Sequence, residues 1–259
     1  MNIESKGFVL HTRPYKETSF LVDIFSENHG RVRCVAKGYR RSTGRQRAES
    51  LSLFVPYNFT WRGKNDLKTL VNAETCEMNL SLSGERLFVG LYVNELLYNL
   101  LAIYDPSKEI YAGYFELVAF LGTSARYNGK LRCFELLLLE YLGYGLVLNI
   151  EYESGNTIDL EKKYKYLHGY GLSPFESQSE NRDVYVGADL LAIQDQRFDD
   201  IHIEKVARRL IRSAIDYQLD GKVLNSRKLY QQYLASTKSD SNIGPVSYTH
   251  LTLPTIHRV

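Results

Sequence analysis

"RVRCVAK", residues Arg31–Lys37, alternates strictly. Arg31, Arg33, Val35 and Lys37 fall on one face, and Val32, Cys34 and Ala36 on the other. A period of two residues is that of a half-buried strand, apolar inward and polar outward. Working towards the N-terminus, "GFVLHTRP" (7–14) and "SFLVDIFS" (19–26) read as two further strands, the second leading into the turn "ENHG" (27–30). Towards the C-terminus, "YNFTWR" (57–62) places Tyr57, Phe59 and Trp61 on one face and Asn58, Thr60 and Arg62 on the other. After the turn "RGKND", "LKTLVNAE" (67–74) returns as a fifth strand. Five short strands within about 75 residues predict a small closed barrel, and the OB-fold is the commonest such barrel that binds oligonucleotides.

Beyond Lys37 the stretch "VAKGYRRSTGRQR" (35–47) holds five basic side chains, one tyrosine and no acid. The chain of 259 residues carries a formal net charge of only +2, yet residues 1–80 contain 13 Lys/Arg against 8 Asp/Glu, and residues 81–244 contain 18 against 22. Polyanion contact is therefore expected to be local to the N-terminal part. Arg31, Arg33 and Lys37 would project from the strand and Arg40, Arg41, Arg45 and Arg47 from the loop beyond it. Grouped cations of this kind neutralise successive phosphates and release counterions. Tyr39, Tyr57, Phe59 and Trp61 lie close by, and OB barrels pair a positive groove with aromatic faces for unstacked bases. Some of these rings must fill the barrel, which leaves Tyr39 as the one expected outside. The alternative is a solvated loop whose charges serve solubility.

After "LSLSGE" the period becomes helical. Helices are expected from Leu87 to Tyr104, stopped by Asp105-Pro106; over "EIYAGYFELVAFL" (109–121); and over "GKLRCFELLLLEYLGYG" (129–145), apolar nearly all round and so central to the core. Residues 150–186 read as irregular with a few short strands. Further helices follow over "GADLLAIQ" (187–194) and "IEKVARRLIRSAIDYQL" (203–219). In the latter, Ile203, Val206, Ala207, Leu210 and Ala214 form the apolar stripe opposite Lys205, Arg208, Arg209 and Arg212. The expected class is α+β: an N-terminal OB-fold barrel over residues 1–80, then a mostly helical domain over 81–243. The last stretch, 244–259, contains "VSYTHL", which resembles a translated transposase end sequence used in preparing sequencing libraries, and is set aside as a non-native tail.

Catalytic patterns are missing. There is no GxxxxGK[ST] loop and no GxSxG elbow; the histidines are isolated, and no paired carboxylates stand out. Cys34, Cys76 and Cys133 have no CxxC spacing, so neither a disulfide framework nor a zinc site is expected. The reading is a protein that is not an enzyme, needs no cofactor and contacts no membrane, working in the cytoplasm with the nucleoid. An RNA-binding or translation-associated OB module, and a scaffold whose helices do the work, remain alternatives.

Several stretches, in order and spacing, resemble the bacterial recombination mediator family RecO: "GFVLHTRPYKETSFLVDIFSENHGRVRCVAKGYRR", "LKTLVNAE", "LSGERLFVGLYVNELLYNLL", "LRCFELLLLEYLGYG" and "GKVLNSRKLYQQYL". The resemblance covers residues 7–234. It implies binding to single- and double-stranded DNA, ATP-independent strand annealing, and partnership with RecR and single-stranded-DNA-binding protein (SSB) in loading RecA. Residues 145–185 hold no cysteine, which resembles the zinc-free branch. The family's "GKPLKSR" stands here as "GKVLNSR", leaving Lys222 and Arg227 as candidate DNA contacts. The resemblance further implies that the helical domain captures the acidic C-terminal peptide of SSB. Arg132 with Phe134, Leu137 and Leu138 is the expected site, with Arg126 and Lys130 as alternative cations. The plainer alternative makes Arg132 a surface residue and the leucines core.

Overall fold

Strand β1 (Asn2–Tyr15) pairs with two neighbours in turn, and that closes the barrel. Its first half runs antiparallel to β4 (Pro56–Arg62), and its second half to β2 (Ser19–Ser26), with a bulge between Val9 and His11 where it changes direction. β2 pairs with β3 (Gly30–Lys37), β3 runs parallel to β5 (Leu67–Thr75), and β5 returns antiparallel to β4. The closed order β1-β2-β3-β5-β4 is an OB-type barrel. The computed structural model describes residues 1–37, 51–76, 80–123, 125–176 and 183–240, with residues 238–240 as backbone.

The alternation read from the sequence fills this barrel. Val32, Cys34 and Ala36 point inward with Val9, Val22, Ile24 and Leu70, around Tyr57, Phe59 and Trp61. Gly30 turns β2 into β3 at φ +63°, and a Cβ there would meet the Asp105 carbonyl oxygen at 2.2 Å, so both the turn and the close approach require glycine.

Among the described residues six helices follow: α1 (Gly84–Leu100), α2 (Lys108–Leu121), α3 (Asn128–Tyr141), α4 (Gly187–Gln194), α5 (Ile201–Gln218) and α6 (Asn225–Asp240). Between α3 and α4 lies an antiparallel sheet of order β7-β6-β8, formed by β6 (Lys163–Leu167), β7 (Gly171–Pro174) and β8 (Val184–Val186). α1 ends at Leu100, four residues before the expected stop. The chain after it is extended enough for Ile103 to bridge Arg31 in parallel, and the Tyr104 amide donates to the Arg31 carbonyl at 3.0 Å. The apolar stripe of α5 is buried as its spacing requires.

The helices pack on the barrel's outer surface. Phe8, Leu10, Phe25 and Phe54 belong to the same apolar cluster as Leu96, Tyr114, Phe134 and Leu210. Tyr114 meets both Phe8 (5.1 Å between ring centres) and Phe25 (5.8 Å) in T-shaped contacts. The joint is also polar at one buried point. Asn94 donates to the carbonyls of Val9 and Leu10 at the β1 bulge, and accepts the Tyr114 hydroxyl at 2.7 Å. A bulge frees carbonyls from the ladder, and a buried amide satisfies them.

Candidate functional site

The cations expected on β3 have three different fates. Arg31 donates to the Tyr98 carbonyl in the last turn of α1 and lies over the Tyr98 ring, 5.2 Å from its centre. α1 has no basic residue of its own in that turn, so Arg31 supplies the cation that exposed C-terminal carbonyls attract. Burial lowers its pKa. Arg33 pairs with Asp23 at 3.0 Å, and Asp23 is fully buried. Arg31 is thus drawn to the end of α1 and Arg33 to a buried acid, and both side chains stay half-exposed on the outer face of β3. Lys37, at the strand's end, is exposed.

Around Lys37 the same rim exposes His11, Thr12, Arg13 and Pro14 of β1, together with Lys16. The sequence reading passed over Arg13, because "HTRP" shows no alternation that separates its faces. Tyr39, Arg40, Arg41, Arg45 and Arg47 lie outside the described residues, as does the stretch 244–259. Lys222 comes to this side of the molecule. With Val223 and Leu229 it lines a cleft of about 580 Å³ whose opposite wall is His11 and Thr12 of the barrel. Tyr57, Phe59 and Trp61 are at most 2% exposed and serve as barrel filling, not as stacking platforms.

Arg227 faces elsewhere. It pairs with Asp216, lies over the Tyr92 ring at 5.4 Å, and lines a second pocket with Phe88, Tyr92, Arg132, Glu204, Arg208 and Tyr230. This pocket of about 210 Å³ sits between α1, α3, α5 and α6. Arg132 is one wall of it and is not at an exposed rim: it is 5% exposed, with Glu135 at 3.1 Å and Glu204 at 3.9 Å. Phe134, Leu137 and Leu138 do not share the pocket. Positions two and six residues beyond Arg132 lie roughly 160° and 120° away around the helix, and these side chains pack towards α2 and the core. Glu135, three residues on, shares the face of Arg132.

Arg132 is held by a buried acid that is itself held. The Tyr92 hydroxyl donates to Glu135 Oε1 at 2.7 Å, and burial pushes the Glu135 carboxyl above the usual range although Arg132 draws it down. The apolar side of the pocket comes from Phe88, Tyr127 and Tyr230, which the sequence reading did not single out. Phe88 packs at a tilt against Tyr230 (5.7 Å) and Tyr233 (4.8 Å) across the α1–α6 contact. The signal available was the basic face of α5, Arg208 and Arg212 four residues apart, which reads as a solvated face until α6 is placed beside it. α6 is fixed by Glu95, whose carboxylate accepts from the amides of Asn225 (2.9 Å) and Ser226 (2.8 Å) and from the Ser226 hydroxyl (2.6 Å). A carboxylate capping two unpaired amides is the favoured arrangement at a helix start. Among the described residues no group of three or more His, Cys, Asp or Glu could hold a metal ion. No helix of the described residues is long and apolar enough to cross a membrane.

The described residues thus form the class of an OB-type barrel joined, through a buried polar contact, to a helical region that carries its own cation-lined pocket. Models of the recombination protein O N-terminal and C-terminal regions match residues 1–79 and 81–228. The chain is 40% identical over 226 residues to the DNA repair protein RecO of Methylococcus capsulatus, covering 87% of this chain and 91% of that one. It is 36% identical over 230 residues to the DNA repair protein RecO of Salmonella enteritidis, covering 88% and 94% respectively. The chain belongs to the recombination protein O family and has its role in DNA repair and recombination.

Proposed function

We propose that this protein is a non-enzymatic recombination mediator that binds single- and double-stranded DNA at the rim of its barrel. It anneals complementary strands without ATP and, with RecR, helps to load RecA onto DNA coated with SSB. The observation that carries this reading is the basic rim: exposed Lys37 ends the strand from which the arginine-rich stretch 38–50 follows, Arg13 is exposed on β1, and Lys222 faces His11 and Thr12 of β1 across the cleft. Two DNA strands repel one another, and a surface that neutralises both lets them approach long enough for pairing to nucleate. Duplex formation is downhill, so no nucleotide hydrolysis is required.

The test is a salt titration of DNA affinity. Replacing Arg40, Arg41, Arg45 and Arg47 together with Ala weakens binding to all sequences alike. It also flattens the plot of log affinity against log salt by roughly 0.7 per lost single-strand phosphate contact. Parallel plots would make the stretch a solvated loop. The pocket between α1, α3, α5 and α6 is the proposed seat of SSB's acidic C-terminal peptide: Arg132, Arg208 and Arg227 offer cations to its carboxylates, and Phe88 and Tyr230 an apolar wall to its last side chain. Arg132→Lys keeps the charge but loses the planar two-bond grip, so peptide affinity should fall by about 1.5–3 kcal/mol while affinity for bare DNA stays the same.

A further inference from the structure

The two acids beside Arg132 are not equivalent. Glu135 Oε2 lies 3.1 Å from Nη1 as an ion pair without a hydrogen bond, while the other oxygen of that carboxylate is fixed by the Tyr92 hydroxyl. Glu204, in the first turn of α5, approaches Nε only to 3.9 Å, too far for a hydrogen bond but close enough for attraction. Nε is buried and has no acceptor. A buried donor left open in a pocket wall marks a place where a ligand oxygen gains a bond that the protein does not supply itself.

We propose that Glu204 is an internal competitor for the pocket's acidic ligand, a proposal that rests on the peptide-capture reading above. While the pocket is empty, Glu204 partly neutralises Arg132, which would otherwise be a buried cation with a single partner. An incoming carboxylate needs the Nε edge at hydrogen-bonding distance, and Glu204 stands in that approach with the same charge. It has somewhere to go: Glu204 also borders an adjoining cavity of about 430 Å³ lined by Arg126, Lys130, Lys205 and Arg208. Binding therefore exchanges one carboxylate for another on Arg132, with the displaced one received by those cations. The exchange selects ligands that bring apolar contacts as well as charge, since a bare anion gains little over Glu204. It also keeps affinity below what the pocket could reach, which suits a protein that must release its partner.

The experiment is fluorescence anisotropy with a short acidic peptide ending in phenylalanine with a free carboxylate, measured on the full chain. Glu204→Gln tightens binding by about tenfold, read mainly as slower release. Glu140→Gln, the same charge change on an exposed residue of α3 outside the pocket, leaves affinity unchanged, and amidating the peptide's C-terminus abolishes the gain. Glu204→Ser gives the same direction, which guards against an effect of one side chain on folding; melting curves of both variants check this. If the wild type binds and both Glu204 variants bind equally or more weakly, the competitor role is overturned while peptide capture stands. If no form binds, the capture reading falls and the inference with it.

Discussion

At the scale of single residues, the positions that look most like DNA contacts are partly structural ones. Asp23 is fully buried, paired with Arg33 at 3.0 Å and close enough to Arg31 to favour its charge, and removing it leaves both cations without that carboxylate. Asp23→Ala should cost about 3 kcal/mol of stability in urea unfolding, the range for breaking a buried ion pair, whereas Lys37→Ala should cost almost nothing. Equal effects would contradict the division of the strand into joint and rim. The sequence showed that these side chains share a face but not that Arg31 reaches α1 and Arg33 a buried acid, because a charge pattern carries no information about its partners. Cys34 was legible as inward, and burial pushes its thiol up to about 12. It should resist iodoacetamide at pH 8 in the folded protein while Cys76, half-exposed, reacts; mass spectrometry of the labelled chain decides this.

At the scale of elements, the barrel was readable nearly strand by strand. Alternation survives wherever one face meets the barrel core, and only the N-terminal extension of β1 was missed, because Asn2–Lys6 carries little apolar signal. The helices were readable as helices but less so in orientation. α3 is apolar on so many sides that its periodicity does not say which face meets a neighbour; hence Phe134, Leu137 and Leu138 were grouped with Arg132 although they point elsewhere. The cap of α6 was invisible, since Glu95 and Asn225 are separated by 130 positions. Glu95→Ala should lower stability by about 1–2 kcal/mol and expose the start of α6 to proteolysis. Peptide capture should weaken with it, because Ser226, Arg227 and Tyr230 line the pocket. DNA affinity should change far less. Loss of both together would mean that α6 supports the barrel as well.

At the scale of the whole molecule, the barrel strands precede residue 80 and the six described helices with the small β7-β6-β8 sheet follow it, but the apolar cores do not divide there. Phe8, Leu10, Phe25 and Phe54 of the barrel side are buried only because α1 and α2 lie over them. A fragment of residues 1–80 would present this face to water and should aggregate, whereas a self-contained barrel would stay monomeric in sedimentation. In the full chain the sole tryptophan, Trp61, lies inside the barrel, so its fluorescence follows the strands while circular dichroism at 222 nm follows the helices. The two melting curves should coincide, as one cooperative unit requires. Separate transitions would show that the shared core is weaker than its extent implies.

The clasp of Glu95 on α6 also has a consequence in time. A chain is made from its N-terminus at roughly 5–20 residues per second, so the carboxylate at position 95 is synthesised on the order of ten seconds before its partners at 225 and 226 exist. During that interval the barrel and the first helices can settle, but the pocket lacks its α6 wall. On the function proposed above, a nascent chain can therefore meet DNA before it can meet an acidic peptide, the proposed recruiting surface being completed last.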